Sequence, residues 1–254
     1  MWDETKSQSE GTIRRSTQFP NIANELILSG PHFYVAKPIH QTPKHDCNSH
    51  RAYDLLDLEN IPESYLPRTN YIPACDTVEY IRRIPSLTWE GKRFTDSYRL
   101  VSRFMLAQSG ERTLVSCIAP KDCGHIMTVL SLAFKSRSDL LNCSGFFFSI
   151  PFDFIVKSTG RGAIHGLIDT LMAPLPTPHV AVRALALNCL TTHYAELWSE
   201  CWDDAFHSES WHSDDPRLDQ NFWKNLTPEW QRNCALRSDY ARRQALVELD
   251  VLAA

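Results

Sequence analysis

The chain has 254 residues, 43% of them apolar, with seven Trp and twelve Phe, enough for one large domain or two small ones around a substantial core. No run approaches the ~18 uncharged apolar residues that span a bilayer, and no secretory signal opens the chain, so no membrane partner and a cytoplasmic location are expected. The formal charge of −4 argues against simple nucleic-acid binding over the whole length.

Charge and cysteine usage refine this. Residues 31–163 carry sixteen Lys/Arg against thirteen Asp/Glu, whereas residues 164–254 carry seven against thirteen. A footprint for phosphate therefore belongs to the middle of the chain, and the acidic last third reads as a solvated or partner-facing surface. The eight cysteines are scattered without a C-x-x-C pair, and Cys117 and Cys189 fall inside apolar segments. That pattern fits buried thiols in a reducing compartment better than a disulfide framework.

In chain order, residues 1–18 are polar and predicted mobile, with a short helix following over 22–28. HFYVAK (32–37) reads as a strand and HQTPKHDCNSH as a loop. Residues 65–76, YLPRTNYIPACD, hold two prolines and no glycine, so a regular helix or a central strand is excluded. The segment reads as a stiff extended loop that fixes Arg68, Thr69, Asn70 and Tyr71, side-chain types that bond phosphates and base edges. It also reads as an ordinary proline-bounded connection. A helix follows over 76–84, with Asp76 as N-cap and Glu79 placed as in a capping box.

From residue 98 the pattern turns to strands: YRLVSRFML, RTLVSCIAP and HIMTVLSLAF. A short helix over 139–142 precedes Gly145, and FFFSIPFDFIVKS gives two more strands broken at Pro151. Gly160-Arg161-Gly162 leads to a helix over 163–172 and a turn at 174–178. Residues 180–206 keep apolar spacing of three and four, which predicts one long amphipathic helix. A Trp- and Asp-rich connection follows, then a last helix from Ser238. Its charges run against the macrodipole, with Arg242 and Arg243 early and Glu248 and Asp250 late. It also lacks a terminating residue, as though the natural element continued past Ala254.

The candidate chemistries are thin. The glycines at 160, 162 and 166 miss dinucleotide spacing by one position, and no ribose-binding acid follows. His45, Cys47 and His50, with His40 and Cys75 near in sequence, suggest zinc without the two paired segments that a structural site shows. Asp153 and Lys157, with Asp76 or Glu79 as a second acid, resemble a nuclease site only loosely. G-x-S-x-G and the catalytic Asn/Asp-Pro-Pro-Tyr/Phe tetrad of adenine methyltransferases are absent from the sequence. Phe146, Phe147 and Phe148 read as core.

GPHFYVAKPIHQTPKHD, AYDLLDLENIPESYLPRTNYIPACD, YRLVSRFMLAQSGERTLVSCIAPKDCGHI, FDFIVKSTGRGAI and RRQALVELDVLAA together resemble the C-terminal target-recognition region of large bacterial DNA adenine methyltransferases. These are the type IIG restriction-modification enzymes and related phage-defence methylases, and the resemblance runs over most of residues 29–254. It implies a DNA target-recognition domain braced by helices. S-adenosylmethionine and base-flipping chemistry would belong to a separate methyltransferase domain or subunit. Double-stranded DNA is the implied partner, and no cofactor is expected in this chain.

The expected fold is α+β, a mixed or antiparallel recognition domain over 30–178 followed by helices over 179–254, with 1–29 as an N-terminal extension. Arg68, Thr69, Asn70 and Tyr71 are the first DNA-contact candidates. Lys157, Thr159 and Arg161 come next as phosphate-facing groups, then Lys92, Arg93 and Lys121 as loop cations. A protein-interaction scaffold and a divergent metal-dependent nuclease are the alternative readings.

Overall fold

The computed structural model describes residues 1–49, 51–89, 91–164 and 177–254, and these form seven helices and nine short strands, an α+β fold. Residues 1–18 are ordered rather than mobile. They form α1 (Glu4–Ser9), N-capped by Asp3, and β1 (Ile13–Gln18). The reason is a partner: β1 runs antiparallel to β5 (Thr69–Pro73), with Arg15 opposite Tyr71. The expected stiff loop is thus a strand over its middle, and its prolines delimit the pairing instead of excluding it. Trp2 closes this end by donating its indole N–H to Tyr80 Oη at 3.0 Å, over a small core with Ile13 and Tyr71.

Two short predictions fail because tertiary pairing overrides local preference. The helix expected over 22–28 is a single 3-10 turn, Ala23–Glu25, followed by β2 (Ile27–Leu28), which pairs parallel with β8 (Gly124–His125). HFYVAK is no strand. It begins on the last residue of a 3-10 turn, Gly30–His32, and folds back so that Tyr34 bridges Lys37, with Ala36 at φ 51°. Next, β3 (Gln41–Pro43) and β4 (Tyr53–Leu55) form a hairpin around the KHDCNSH loop. Helix α2 (Thr77–Arg83) starts as expected, with Asp76 accepting from Glu79 N–H at 3.0 Å. Glu79 does not close the box; its carboxylate holds Arg82 and Arg83.

The strands expected after residue 98 form a three-stranded antiparallel sheet, β7 (Ser116–Ala119), β6 (Arg99–Arg103) and β9 (Val129–Ala133), in that order, so the first strand is central. FFFSIPFDFIVKS, predicted as strands, is helical instead. Helix α3 (Arg137–Phe148) and α4 (Ile150–Ser158) meet at a 71° bend where Ser149 ends one and caps the other. Pro151 sits in the first turn of α4, where no amide bond is lost. Phe147 and Phe148 are buried, so their β-preference yields to helix packing.

The long helix expected over 180–206 breaks into α5 (Pro178–Asn188) and α6 (Ala195–Glu200). Asn188 causes the stop. Its Oδ1 accepts from Ile118 N–H at 2.9 Å while its Nδ2 donates to the Ala184 carbonyl. Ser238 caps α7 (Asp239–Ala253) as predicted. The helix expected over 163–172 and the turn at 174–178 lie largely outside the described residues. No single described helix is long and apolar enough to cross a membrane.

One hydrophobic cluster joins the two halves, running from Leu28 and Leu100 through Phe148 and Leu185 to Trp223 and Leu249. Where α3 crosses α5, a Cβ on Gly145 would lie 2.2 Å from Val180 Cγ1, so only glycine permits that approach. Arg183 of α5 is fully buried between Glu209 and Glu248 and covers the Trp223 ring. This triad explains why Glu248 occupies the unfavourable end of α7. Gly145→Ala should lower unfolding free energy by about 1–3 kcal/mol in urea denaturation. Adding Val180→Ala should recover part of that loss; full stability in the single variant would show the crossing to be looser.

Candidate nucleic-acid interface

An open cleft of about 950 Å³ lies where β1, β5, the β3–β4 loop and the end of β6 converge, and its wall includes Arg15, Asn48, Tyr53, Asn70, Arg103 and Met105. Pairing β1 with β5 buries Ile13 and Tyr71, while Arg14 and Arg15, on opposite faces of β1, both remain exposed. Past the end of β6, Met105 bridges to Ala163, so the Gly160–Gly162 turn runs beside the rim.

A buried relay of polar groups makes the wall rigid. Thr17 Oγ1 donates to Asn70 Oδ1 at 2.9 Å, and Asn70 Nδ2 donates to Tyr53 Oη at 2.8 Å. Tyr53 Oη stands 3.1 Å from Ser29 Oγ, which in turn lies 2.9 Å from His32 Nδ1. His32 Nε2 faces the Arg68 carbonyl at 2.8 Å. A carbonyl only accepts, so Nε2 carries the proton and Nδ1 accepts from Ser29 N–H at 2.9 Å. Burial lowers the His32 pKa, which keeps this tautomer neutral, and burial raises that of Tyr53, which keeps the phenol protonated. Tyr71 Oη donates to Glu4 at 3.0 Å, and burial followed by that carboxylate raises its pKa.

The first sequence-predicted group is therefore brought to the cleft, but mostly as its framework. Thr69 is fully buried, with its hydroxyl on the Ile27 carbonyl at 2.7 Å, so it is corrected from a contact residue to an internal one. Asn70 is 8% exposed and both ends of its amide are engaged. Arg68 is half-buried, donates to the Pro43 carbonyl at 3.0 Å and lies over the Phe19 ring. A strand inside a folded ribbon turns these side chains inward, which proline content could not reveal.

The other two groups divide. Lys157 and Arg161 are exposed, and Thr159 closes the end of α4 by donating to the Val156 carbonyl. Lys92 is exposed in the turn after α2, and Arg93 pairs with Asp96 at 2.8 Å. Lys121 is separated from the cleft groups, ion-paired to Glu196 beside Tyr98. The residues missed from the sequence are Arg15, Asn48, Arg103 and Met105. The arginine doublet Arg14-Arg15 was a usable signal; Met105, read as a strand end, offered none.

The alternative chemistries find their groups engaged elsewhere. Asp153 is buried and accepts from the amides of Thr113 at 2.9 Å and Leu114 at 2.6 Å, an anchor for a loop. Asp76 caps α2. Cys47 Sγ contacts the Ser49 carbonyl and Asn70, while His45 pairs with Asp46 on the surface. His50 lies outside the described residues. Among the described residues no group of three His, Cys, Asp or Glu side chains could hold a metal ion. No protein-family model, curated protein or solved structure matches this chain.

Chemically, the cleft offers guanidinium and amide donors, protonated phenols and an apolar thioether around one carboxylate, Glu4. That set suits binding rather than proton transfer. Its framework also makes stability pH-dependent. His32, His40 and His125 have folded pKa values below the usual 6.5, that of His40 at about 4, each through burial first. The unfolded chain then binds more protons, so stability is complete above about pH 6.5 and falls as pH drops toward 4. Urea midpoints at pH 7.5 and pH 5 should show this loss, and His32→Gln should reduce it; equal midpoints would contradict the buried neutral imidazoles.

Proposed function

We propose that this chain is a DNA target-recognition module whose chemistry is performed by a separate methyltransferase domain or subunit. The observation that carries the reading is the grouping of cations and an exposed thioether in one open cleft. Arg15 and Asn48 are exposed on its wall, Arg103 reaches it from β6, and Met105 stands at the rim at 65% exposure with Met127 nearby at 53%. Cations there would hold phosphates, an amide would read base edges, and a methionine is the type of side chain that wedges between base steps. The resemblance of the five sequence blocks supports the same reading. The module works in the cytoplasm on double-stranded DNA, and S-adenosylmethionine binds to the partner, not to this chain.

A second reading, a protein-interaction scaffold, is favoured by one observation. Ile150 and Phe154 of α4 and Val247 and Val251 of α7 are all more than half exposed on neighbouring helices.

Fluorescence anisotropy with duplex DNA separates the two. Under the recognition reading, affinity falls steeply between about 50 and 200 mM salt. Arg15→Ala should weaken binding and reduce the salt slope by roughly 1, while Met105→Ala should weaken it with the slope unchanged. Lys121→Ala should have no effect. Absence of duplex binding at low salt, both alone and with a DNA adenine methyltransferase partner, overturns the recognition reading.

A further inference from the structure

One acid stands in the cleft that Arg15, Arg103 and Met105 line, and it is held in place from two sides. Glu4 is the first residue of α1, fixed there by Asp3, which accepts from Lys6 N–H at 2.8 Å. Its Oε1 accepts from Tyr71 Oη at 3.0 Å. Arg15 lies directly opposite Tyr71 in the β1–β5 ladder, so the two side chains share a face, and the guanidinium hydrogen-bonds the same phenol. Arg15 is itself held by the Cys47 carbonyl, to which Nη2 donates at 3.1 Å. A carboxylate and a guanidinium thus converge on one hydroxyl. The lining holds two cations, Arg15 and Arg103, against this single acid, which leaves one positive charge in excess.

The needs of the fold do not account for the carboxylate. Tyr71 Oη meets an open cleft, where water is an adequate acceptor for its proton. A carboxylate there also repels the phosphates that the arginines attract. Among the described residues Glu4 Oε2 accepts no hydrogen bond, so the acid keeps acceptor capacity for a ligand. The cleft, at about 950 Å³, has the size of a small-molecule site with a few placed polar groups.

An acceptor next to a donor in such a cleft is complementary to a planar edge that carries donors next to acceptors. Among the common nucleobases only guanine offers a carboxylate two adjacent donors, N1–H and the N2 amino group, beside the acceptors O6 and N7. Adenine and cytosine offer it one amino group, and in thymine the single N–H lies between two carbonyls that repel it. The geometry points to a guanine site, in which Glu4 accepts from N1–H and the N2 amino group while Arg15 donates to O6 and N7. Met105, 65% exposed at the rim, supplies a thioether for the face of the ring. The one charge in excess suits the phosphate of the same nucleotide. The base belongs to a free guanine nucleotide or to an unpaired guanine in a strand, since both present the same edge. For that reason the site does not depend on the duplex reading.

Calorimetric titration of the whole chain tests it with guanosine, inosine, adenosine and cytidine 5′-monophosphates and with oligothymidine strands that hold or lack one guanine. A guanine probe should bind saturably and roughly tenfold tighter than its adenine, cytosine or thymine counterpart. Inosine monophosphate, which lacks the N2 amino group, should fall between. Tighter binding of the mononucleotide identifies a free ligand, and tighter binding of the guanine strand identifies a base within DNA. Glu4→Gln keeps an acceptor for Tyr71 and should erase the preference for guanosine over inosine monophosphate. The exposed Arg15→Gln should weaken both, and Lys121→Ala should change nothing. No saturable binding of a guanine probe, equal affinity for guanine and adenine probes, or an unchanged guanine preference in folded Glu4→Gln and Arg15→Gln, overturns the assignment. Failure of duplex binding, by contrast, overturns only the recognition reading.

Discussion

The architecture depends on buried guanidinium groups that satisfy the carbonyls of irregular chain. Regular elements here are short, so many loop carbonyls have no ladder partner and would be costly to bury alone. Arginine answers this with five donors in a planar fork. Arg242 joins the Ala36 turn to the end of α5, Arg103 collects the carbonyls of Gly30 and Phe33, and Arg237 collects those of Leu58 and Leu190. Arg232 does the same for Ile61 and Glu59, and Arg99 for Cys123. Each spans elements far apart in sequence. Loss of one frees a carbonyl at both ends of the connection.

This use of arginine changes what the charge of the chain means. The mild excess of cations over residues 31–163 includes Arg99, which faces inward, Arg103, which lines the cleft with its Nε and Nη2 on the Gly30 and Phe33 carbonyls, and Lys121 and Arg93, which are paired. The acidic last third is likewise not only a solvated surface, because Glu209 and Glu248 are consumed by Arg183. The inverted charges of α7 have the same origin: Arg242 faces carbonyls, Glu248 faces Arg183, and Asp250 caps α4 through Ile150 N–H. Tertiary partners outweigh a macrodipole effect worth about 0.3–1 kcal/mol.

The same staples position the cleft. Arg103 holds the chain at Gly30 and Phe33, with Tyr34 beneath its guanidinium, and so fixes the side of the cleft opposite Arg15 and Asn48. The hydrogen-bonded relay from Thr17 to His32 gives it a rigid wall, which favours binding by limiting the ordering that a ligand must impose.

Composition and periodicity alone determined the α+β class, the helix starts at Asp76 and Ser238, the strands after residue 98 and the burial of scattered thiols. These depend on local preferences and on apolar patterns that the core only reinforces. The tertiary structure decided the rest. It made a strand of residues 69–73 by supplying β1, helices of the Phe-rich segment by packing it on α5, and a break at Asn188 by offering it the Ile118 amide. It also turned Thr69 and Asn70 inward and left Arg15 and Met105 at the cleft. Which side of a strand meets solvent is set by its partner's register, and that is a property of the folded pair rather than of either segment.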